Sequence, residues 1–262
     1  LPVFIDAKNS RLFYGLSMLY KPLASMMLVK EMFKHKRQHL PMRISELIPF
    51  ESYNNNKIDR IQHVALFKKH LYKIGHGKNG VFKTQKAIAP AENRAQLYHA
   101  LKSECEHLGE TTDGKVMYLY EHKNSTPILR EIGRLREIAF RAVGEGTNKR
   151  RDIDSYDAHY YHLILWDKDD LEIAGAYRFG DAKNIIKQHS IKGLYSASLF
   201  DYGPEMALYF EQGLELGRSF VQPKYWGKRS LDYLWFGLGA FLKRHPDFRY
   251  LFGAVSLSDH YP

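Results

Sequence analysis

Leu214–Ser230, LELGRSFVQPKYWGKRS, sets an acidic residue inside a strand-like run, follows it with a glycine, an arginine and a basic turn, and leads directly into the apolar segment Leu231–Leu242. A regular strand would place Glu215, Gly217 and Ser219 on one face and Leu216, Arg218 and Phe220 on the other. A glycine within a strand often marks a bulge, and a bulge here would re-aim one of the charged side chains. The turn Gln222–Ser230 carries Lys224, Lys228 and Arg229 and precedes a helix, whose free N-terminal amides attract phosphate. Tyr233, Trp235, Phe236 and Phe241 lie nearly all round that helix, which predicts burial in a core or an apolar partner.

Outward from this stretch, strands and helices alternate. Val116–Tyr120 reads as a strand. Thr126 and Pro127 open a helix over Ile128–Val143, with an apolar stripe of Ile128, Ile132, Leu135 and Ile138. A charged loop, Lys149–Asp157, leads to a hairpin of Tyr161–Trp166 and Glu172–Phe179, and Arg249–Leu257 reads as a last strand. The pattern predicts an α/β (α+β) fold, a mixed sheet flanked by helices.

Toward the N-terminus the character differs. Leu1–Ile5 and Met42–Ile48 read as strands, and Arg11–Lys36 as a helix interrupted at Pro22. Asn54–Asn56 would cap a helix running to about Ile74, and Pro90 would open another reaching about Leu108. Cys105 falls on this last helix. The expected organisation is therefore 1–80, a helical bridge over 81–115, and a C-terminal domain over 116–262. The first residue is Leu1 and the last segment is strand-like, so the chain reads as a piece of a longer one, cut short at its C-terminus.

The 262 residues hold 39 Lys+Arg against 29 Asp+Glu, a formal charge of +10 that favours acidic partners. No recognition helix, zinc finger or base-stacking pattern accompanies that charge, so nucleic acid is not an expected partner. Met26–Val29 followed by Lys30, Lys34, Lys36 and Arg37 suits the surface of an anionic membrane; a core helix with a solvated basic end is the alternative. One cysteine and no signal segment point to a reducing, cytoplasmic location, with peripheral attachment to the inner membrane face. No metal-ligand spacing is present.

A carboxylate facing a cleft, free strand amides and a cationic turn are the parts that acyl transfer to an amine requires. The amine must lose a proton, since an α-amino group has a reference pKa of about 7.7–8.0. A carboxylate that accepts it gains roughly 10²–10⁴ in rate. Glu215 is the candidate base, with a purely structural pairing to an arginine as its alternative. Asp152, Asp154 and Asp157 lie near Arg136 and Arg141 in sequence, and Arg178 ends the hairpin. Charges buried there would have to be paired, and an arginine among them could take a carboxylate in bidentate fashion. The amides near Ser219–Val221 offer a strand edge to the amide groups of a pantetheine arm.

The segments EIGRLREIAFRAVGEGT (Glu131–Thr147), DIDSYDAHYYHLILWD (Asp152–Asp167), AGAYRFG (Ala174–Gly180), LYSASLF (Leu194–Phe200), LELGRSFV (Leu214–Val221) and LFGAVSLS (Leu251–Ser258) resemble, in order, GNAT-like N-acyltransferases of the ornithine-lipid synthase type, a group also described as hemolysins. More distantly they resemble acyl-homoserine-lactone synthases. The resemblance implies a GNAT-like mixed sheet, no permanent cofactor, and a phosphopantetheine thioester as donor, carried by acyl carrier protein or CoA. It implies an amino acid or related amine as acceptor, in aminolipid synthesis. Carried over residue by residue, Glu215 is the catalytic base, and Asp154, Asp157, Arg136, Arg178 and Arg218 form the substrate-binding cluster. Apart from the resemblance, the strand edge and basic turn make Ser219, Phe220, Val221, Lys228, Arg229 and Ser230 the candidates to hold the donor, and, because a neutral leaving thiol needs a proton, Tyr261 is the candidate to supply it. In place of a glycine-rich pyrophosphate turn, Gly227 is followed by Lys228 and Arg229, which favours acyl carrier protein over CoA. The first 80 residues resemble the C-terminal part of a lysophosphatidic-acid acyltransferase-like domain, on LPVFIDAKNS (Leu1–Ser10) and Leu40–Ile48, without its His-x4-Asp motif. Two other functions compete: a non-catalytic basic module on membranes, and an acetyl-CoA-dependent N-acetyltransferase.

Overall fold

The computed structural model describes residues 1–34, 36, 39–54, 58–122 and 126–255, in two compact units, Leu1–Ala87 and Ile88–Pro262. In the first unit Val3–Ile5 (β1) pairs antiparallel with Met42–Ile44 (β2), and two helices, Arg11–Leu19 (α1) and Lys21–Lys34 (α2), lie between them in sequence. The interruption expected at Pro22 is a break between two helices just ahead of it. Tyr20 is extended between them, and Pro22 occupies the first turn of α2, where a missing amide costs nothing. A third helix, Arg60–Gly75 (α3), is capped by Asp59; of the caps expected at Asn54–Asn56, Asn55 and Asn56 lie outside the described residues. Asp59 Oδ1 accepts from the Gln62 amide at 2.8 Å and Gln62 Oε1 from the Asp59 amide at 3.3 Å, a reciprocal capping box.

The second unit begins with Arg94–Glu104 (α4), whose N-cap is Asn93 in place of a start at Pro90. The helix stops at Glu104, four residues short of expectation, because Cys105–Glu110 (β3) turns into an edge strand. Cys105 thus opens a strand, and burial pushes its thiol up to about 12, which keeps it neutral and un-nucleophilic. There follow Val116–Glu121 (β4), Pro127–Ala142 (α5), Tyr161–Asp167 (β5), Glu172–Asp181 (β6), Ala182–His189 (α6), Ala207–Phe210 (α7), Gly213–Val221 (β7), Ser230–Arg244 (α8) and Tyr250–Phe252 (β8). The sheet runs β3-β4-β5-β6-β7-β8, antiparallel as far as β7, with β8 parallel to β7 after the α8 crossover.

This is the mixed α/β architecture expected, a six-stranded sheet flanked by helices. The apolar stripe of α5 (Ile128, Ile132, Leu135) and Leu97 and Leu101 of α4 cover one face over Tyr118, Ile164 and Trp166. Leu234, Leu238 and Phe241 of α8 cover the other, over Leu163, Leu165, Phe179 and Leu214. Successive residues of β5 therefore enter opposite cores, which is why its stretch Leu163–Trp166 reads as an unbroken apolar run. The last strand is shorter than Arg249–Leu257: pairing ends at Phe252, and residues from 256 on lie outside those described.

Candidate active site

The centre of the unit is an irregularity in β7. Ala176 pairs with Phe220 but Arg178 with Gly217, so Arg218 and Ser219 together face Tyr177 as a bulge. The left-handed backbone falls on Arg218 itself (φ 53°) and not on the neighbouring glycine. A non-glycine residue held there is strained unless its surroundings fix it. Here they do. Arg218 Nη1 lies 3.2 Å from Asp152 Oδ2 and Nη2 3.8 Å from Asp154 Oδ2, and its guanidinium is 5.2 Å from the Tyr195 ring. The extra residue turns Arg218 onto the same side as Glu215, where a regular strand would have opposed them.

On that side the expected charged cluster forms. Arg136 donates through Nη1 and Nη2 to Asp157 Oδ1, both at 3.1 Å, and Arg178 Nη1 donates to Asp154 at 2.7 Å and Asp157 at 3.0 Å. Arg136, Arg178 and Asp157 are each about 1% exposed or less and lie beneath the surface; Asp154 and Arg218 sit at the border, their side chains 23% and 20% exposed. Burial alone would raise the Asp157 carboxyl, but Arg136, Arg178 and His162 outweigh it and hold it at about 2. Asp154 also caps the short turn Ser155–Ala158, which fixes Asp157 toward both arginines.

Glu215 is 1% exposed. Its Oε1 accepts from the Ser196 amide at 2.6 Å, and its Oε2 accepts from the Tyr195 amide at 3.2 Å and from the Tyr160 hydroxyl. The expectation that this carboxylate looks into an open cleft is corrected: three donors from two other segments close over it. The Glu215 carboxylate instead holds the Tyr195–Ser196 turn, and through it the Tyr195 ring that lies against both Arg178 and Arg218. Its partners Tyr160, Tyr195 and Ser196 escaped the sequence reading, although two of them stand in the LYSASLF segment.

The opening lies one step further along the strand. Strand β8 pairs with β7 only as far as Glu215 and Phe252, while β7 continues to Val221. The resulting wedge is a groove of about 900 Å³, walled by Leu216, Gly217 and Ser219 of β7, Tyr177 of β6, and Leu231 and Trp235 of α8. Arg218 and Glu145 also line it. Of the expected donor-binding residues, Ser219 is on the groove. The Phe220 ring is buried in the core beneath α5, so that residue could offer only backbone groups, and the Val221 carbonyl accepts from Trp226 Nε1 at 2.8 Å. Lys228 and Arg229 are exposed ahead of α8, Lys228 against the Tyr225 ring and Arg229 3.7 Å from Asp232. Ser230 is buried as the first residue of α8. Tyr261 lies outside the described residues. Among the described residues no group of three or more His, Cys, Asp or Glu is arranged to hold a metal ion.

His162 makes the cluster sensitive to acid. Burial depresses its pKa from 6.5 to about 4, against the pull of Asp157, and Nε2 donates to the Asp157 carbonyl at 3.0 Å. Between these two values the unfolded chain binds a proton that the fold refuses, so stability falls as pH drops through the window. Asp152 works the other way, since burial raises its carboxyl. Thermal melts should lose stability from pH 6.5 to about 4, and His162→Gln, which retains an N–H for the carbonyl, should flatten that slope.

Residues 135–236 match the family described as the acetyltransferase (GNAT) domain. The chain is 39% identical over 159 residues, 55% of its own length and 48% of the relative's, to a glycine N(alpha)-acyltransferase of Phocaeicola vulgatus. Its identity to the glycine N(alpha)-acyltransferase of Bacteroides thetaiotaomicron is 38% over 157 residues, 55% of the chain and 47% of the relative. To an L-ornithine N(alpha)-acyltransferase of Agrobacterium fabrum it is 32% identical over 117 residues, 42% and 39% of the two lengths. No solved structure matches. The chain spans about half the length of the glycine-directed relatives it matches. The second unit carries a GNAT acetyltransferase match around the bulged strand and the groove, within a chain similar in sequence to N(alpha)-acyltransferases of glycine and ornithine.

Proposed function

We propose that the second unit transfers a long acyl group from a phosphopantetheine thioester to the α-amine of a small amino acid, in aminolipid synthesis. The observation that carries this reading is the wedge between β7 and β8: a strand edge without a partner among the described residues, walled by apolar side chains and open beside Arg218. A pantetheine arm adds to such an edge as a further strand would, and the acyl chain lies against Leu216, Leu231 and Trp235. The basic chain and the Lys228–Arg229 turn suit acyl carrier protein, an acidic donor, better than free CoA. The names of the relatives make glycine and then ornithine the first acceptors to test. We place the reaction in the cytoplasm. The first unit, read as part of a glycerolipid acyltransferase-like domain, would join this N-acylation to an O-acylation.

The direct test supplies the full-length protein with long-chain acyl carrier protein, long-chain acyl-CoA or acetyl-CoA, and glycine or ornithine, and follows N-acyl products by mass spectrometry. Long-chain acyl carrier protein with glycine should give the largest yield; no N-acyl product from any pair would sink the proposal. Gly217 offers a sharper probe, because a Cβ there meets no atom within 4 Å. Gly217→Val should leave the melting temperature unchanged while lowering kcat/KM for the donor about tenfold or more, a loss of ~1.4 kcal/mol of transition-state stabilisation.

A second reading concerns where the reaction takes place. No helix among the described residues is long and apolar enough to cross a membrane. Yet Met18, Leu19, Met26 and Met32 of α1 and α2 are exposed, with Lys30 and Lys34 among them, which favours an anionic bilayer surface. Sedimentation with anionic but not neutral vesicles would support peripheral attachment; equal recovery in both supernatants would exclude it.

A further inference from the structure

The charges around the groove do not balance, and the excess sits on one residue. Arg136, Arg178 and Arg218 are met by Asp152, Asp154 and Asp157, three against three, with N–O distances of 2.7 to 3.8 Å. Among the described residues lining the groove, Arg218 is the one cation and Glu145 the one carboxylate. Unlike every aspartate of the cluster, the exposed Glu145 side chain has no hydrogen bond or ion pair among the described residues.

Its position is nevertheless fixed. The Glu145 amide donates to the Phe140 carbonyl at 2.8 Å, tying the loop to the end of α5. Two residues on, the Thr147 amide donates to Glu137 Oε2 at 3.0 Å, and Glu137 is itself held by Arg141 at 2.6 Å. Phe140 links the two charged wall residues, since its ring is 5.9 Å from the Arg218 guanidinium. An anchored backbone that presents an unpaired carboxylate to a groove is an arrangement that favours a cation. On the same wall Arg218, though paired with Asp152 through Nη1, keeps Nη2 3.8 Å from Asp154 and without a hydrogen bond among the described residues, a donor for an anion.

We propose that Glu145 receives the ammonium group of the acceptor and removes its proton, while Arg218 takes the acceptor's carboxylate, so that the subsite selects a small zwitterionic α-amino acid. This assignment rests on the acyl-transfer reading above. The ammonium group gives one proton to Glu145, which passes it to water. The freed nitrogen lone pair then forms the N–C bond at the thioester carbonyl as the C–S bond breaks. The second nitrogen proton ends on the leaving thiolate, leaving an amide, a thiol and one proton in solution.

The experiment compares the full-length wild type with Glu145→Gln and Glu145→Asp, using long-chain acyl carrier protein and two acceptors, glycine and hydroxylamine. Hydroxylamine is already unprotonated at neutral pH and carries no carboxylate. Glu145→Gln should lower kcat/KM for glycine about 10²-fold or more and that for hydroxylamine less than about tenfold. Glu145→Asp should restore part of the glycine rate, with donor KM and melting temperature unchanged throughout. Wild-type glycine kinetics in Glu145→Gln, or an equal loss with both acceptors, would overturn the assignment while leaving acyl transfer intact. A wild type that acylates neither acceptor would overturn the acyl-transfer reading, and this assignment with it.

Discussion

Asp157→Asn is expected to lower the unfolding free energy by about 3–5 kcal/mol, the cost of removing one partner from a buried ion pair. Asp157 is the shared acceptor for Arg136 and Arg178, and neither guanidinium has water to turn to. Replacing one carboxylate oxygen with an amide also sets an N–H against one of these cations, or against the Asp154 amide that Oδ2 accepts at 2.9 Å. Because the two arginines hold the Asp157 carboxyl at about 2, it is ionised throughout the neutral range, and the loss should be the same at every neutral pH. The sign is that of a depressed acid: its stabilisation is complete above the unfolded value of 3.8 and fades as pH falls through the folded one. Urea unfolding measures it, and a midpoint equal to that of the wild type would show that the cluster does not act as a unit.

Glu215→Gln should also behave as a lesion of the fold. A glutamine keeps one acceptor oxygen, but three donors converge on the Glu215 carboxylate, so its NH2 group would oppose at least one of them. An unmet buried donor costs about 1–3 kcal/mol, and the Tyr195–Ser196 turn should loosen with it. Activity should then fall in proportion to the folded, closed population, and the pH dependence of kcat should keep its shape. If Glu215 were the base, the protein would melt normally, lose about 10²–10⁴ in rate, and lose the acidic limb of its pH profile. Calorimetry together with one pH–rate series separates the two roles.

Most of the sheet was legible because its signals are local. The Ile128, Ile132, Leu135 stripe gives α5 its buried face, and the unbroken apolar run Leu163–Trp166 of β5 follows from cores on both sides. Gly217 flagged the bulge, although the strained residue is Arg218. Cys105–Glu110 was misread because Leu97, Leu101 and Leu108 fit one helical face, and only pairing with Val116–Tyr120 makes the segment a strand. The cap of α3 could have been found, since Asp59 and Gln62 stand at capping-box spacing. The sealing of Glu215 had no such signal. Its donors lie 19, 20 and 55 residues away, and a carboxylate satisfied by distant amides has the same local sequence as one facing a cleft.

Helix α8 keeps two duties on separate sides. Leu234, Leu238 and Phe241 pack under the sheet, whereas Leu231 and Trp235, one turn apart, stand about half exposed along the wedge. Exchanges at those two positions reshape the wall without opening a void beneath the strands. If the wedge takes the acyl chain as proposed, its preferred length can drift by changing these two side chains, at the cost of little more than the edge contact of Trp235 with the Tyr177 ring.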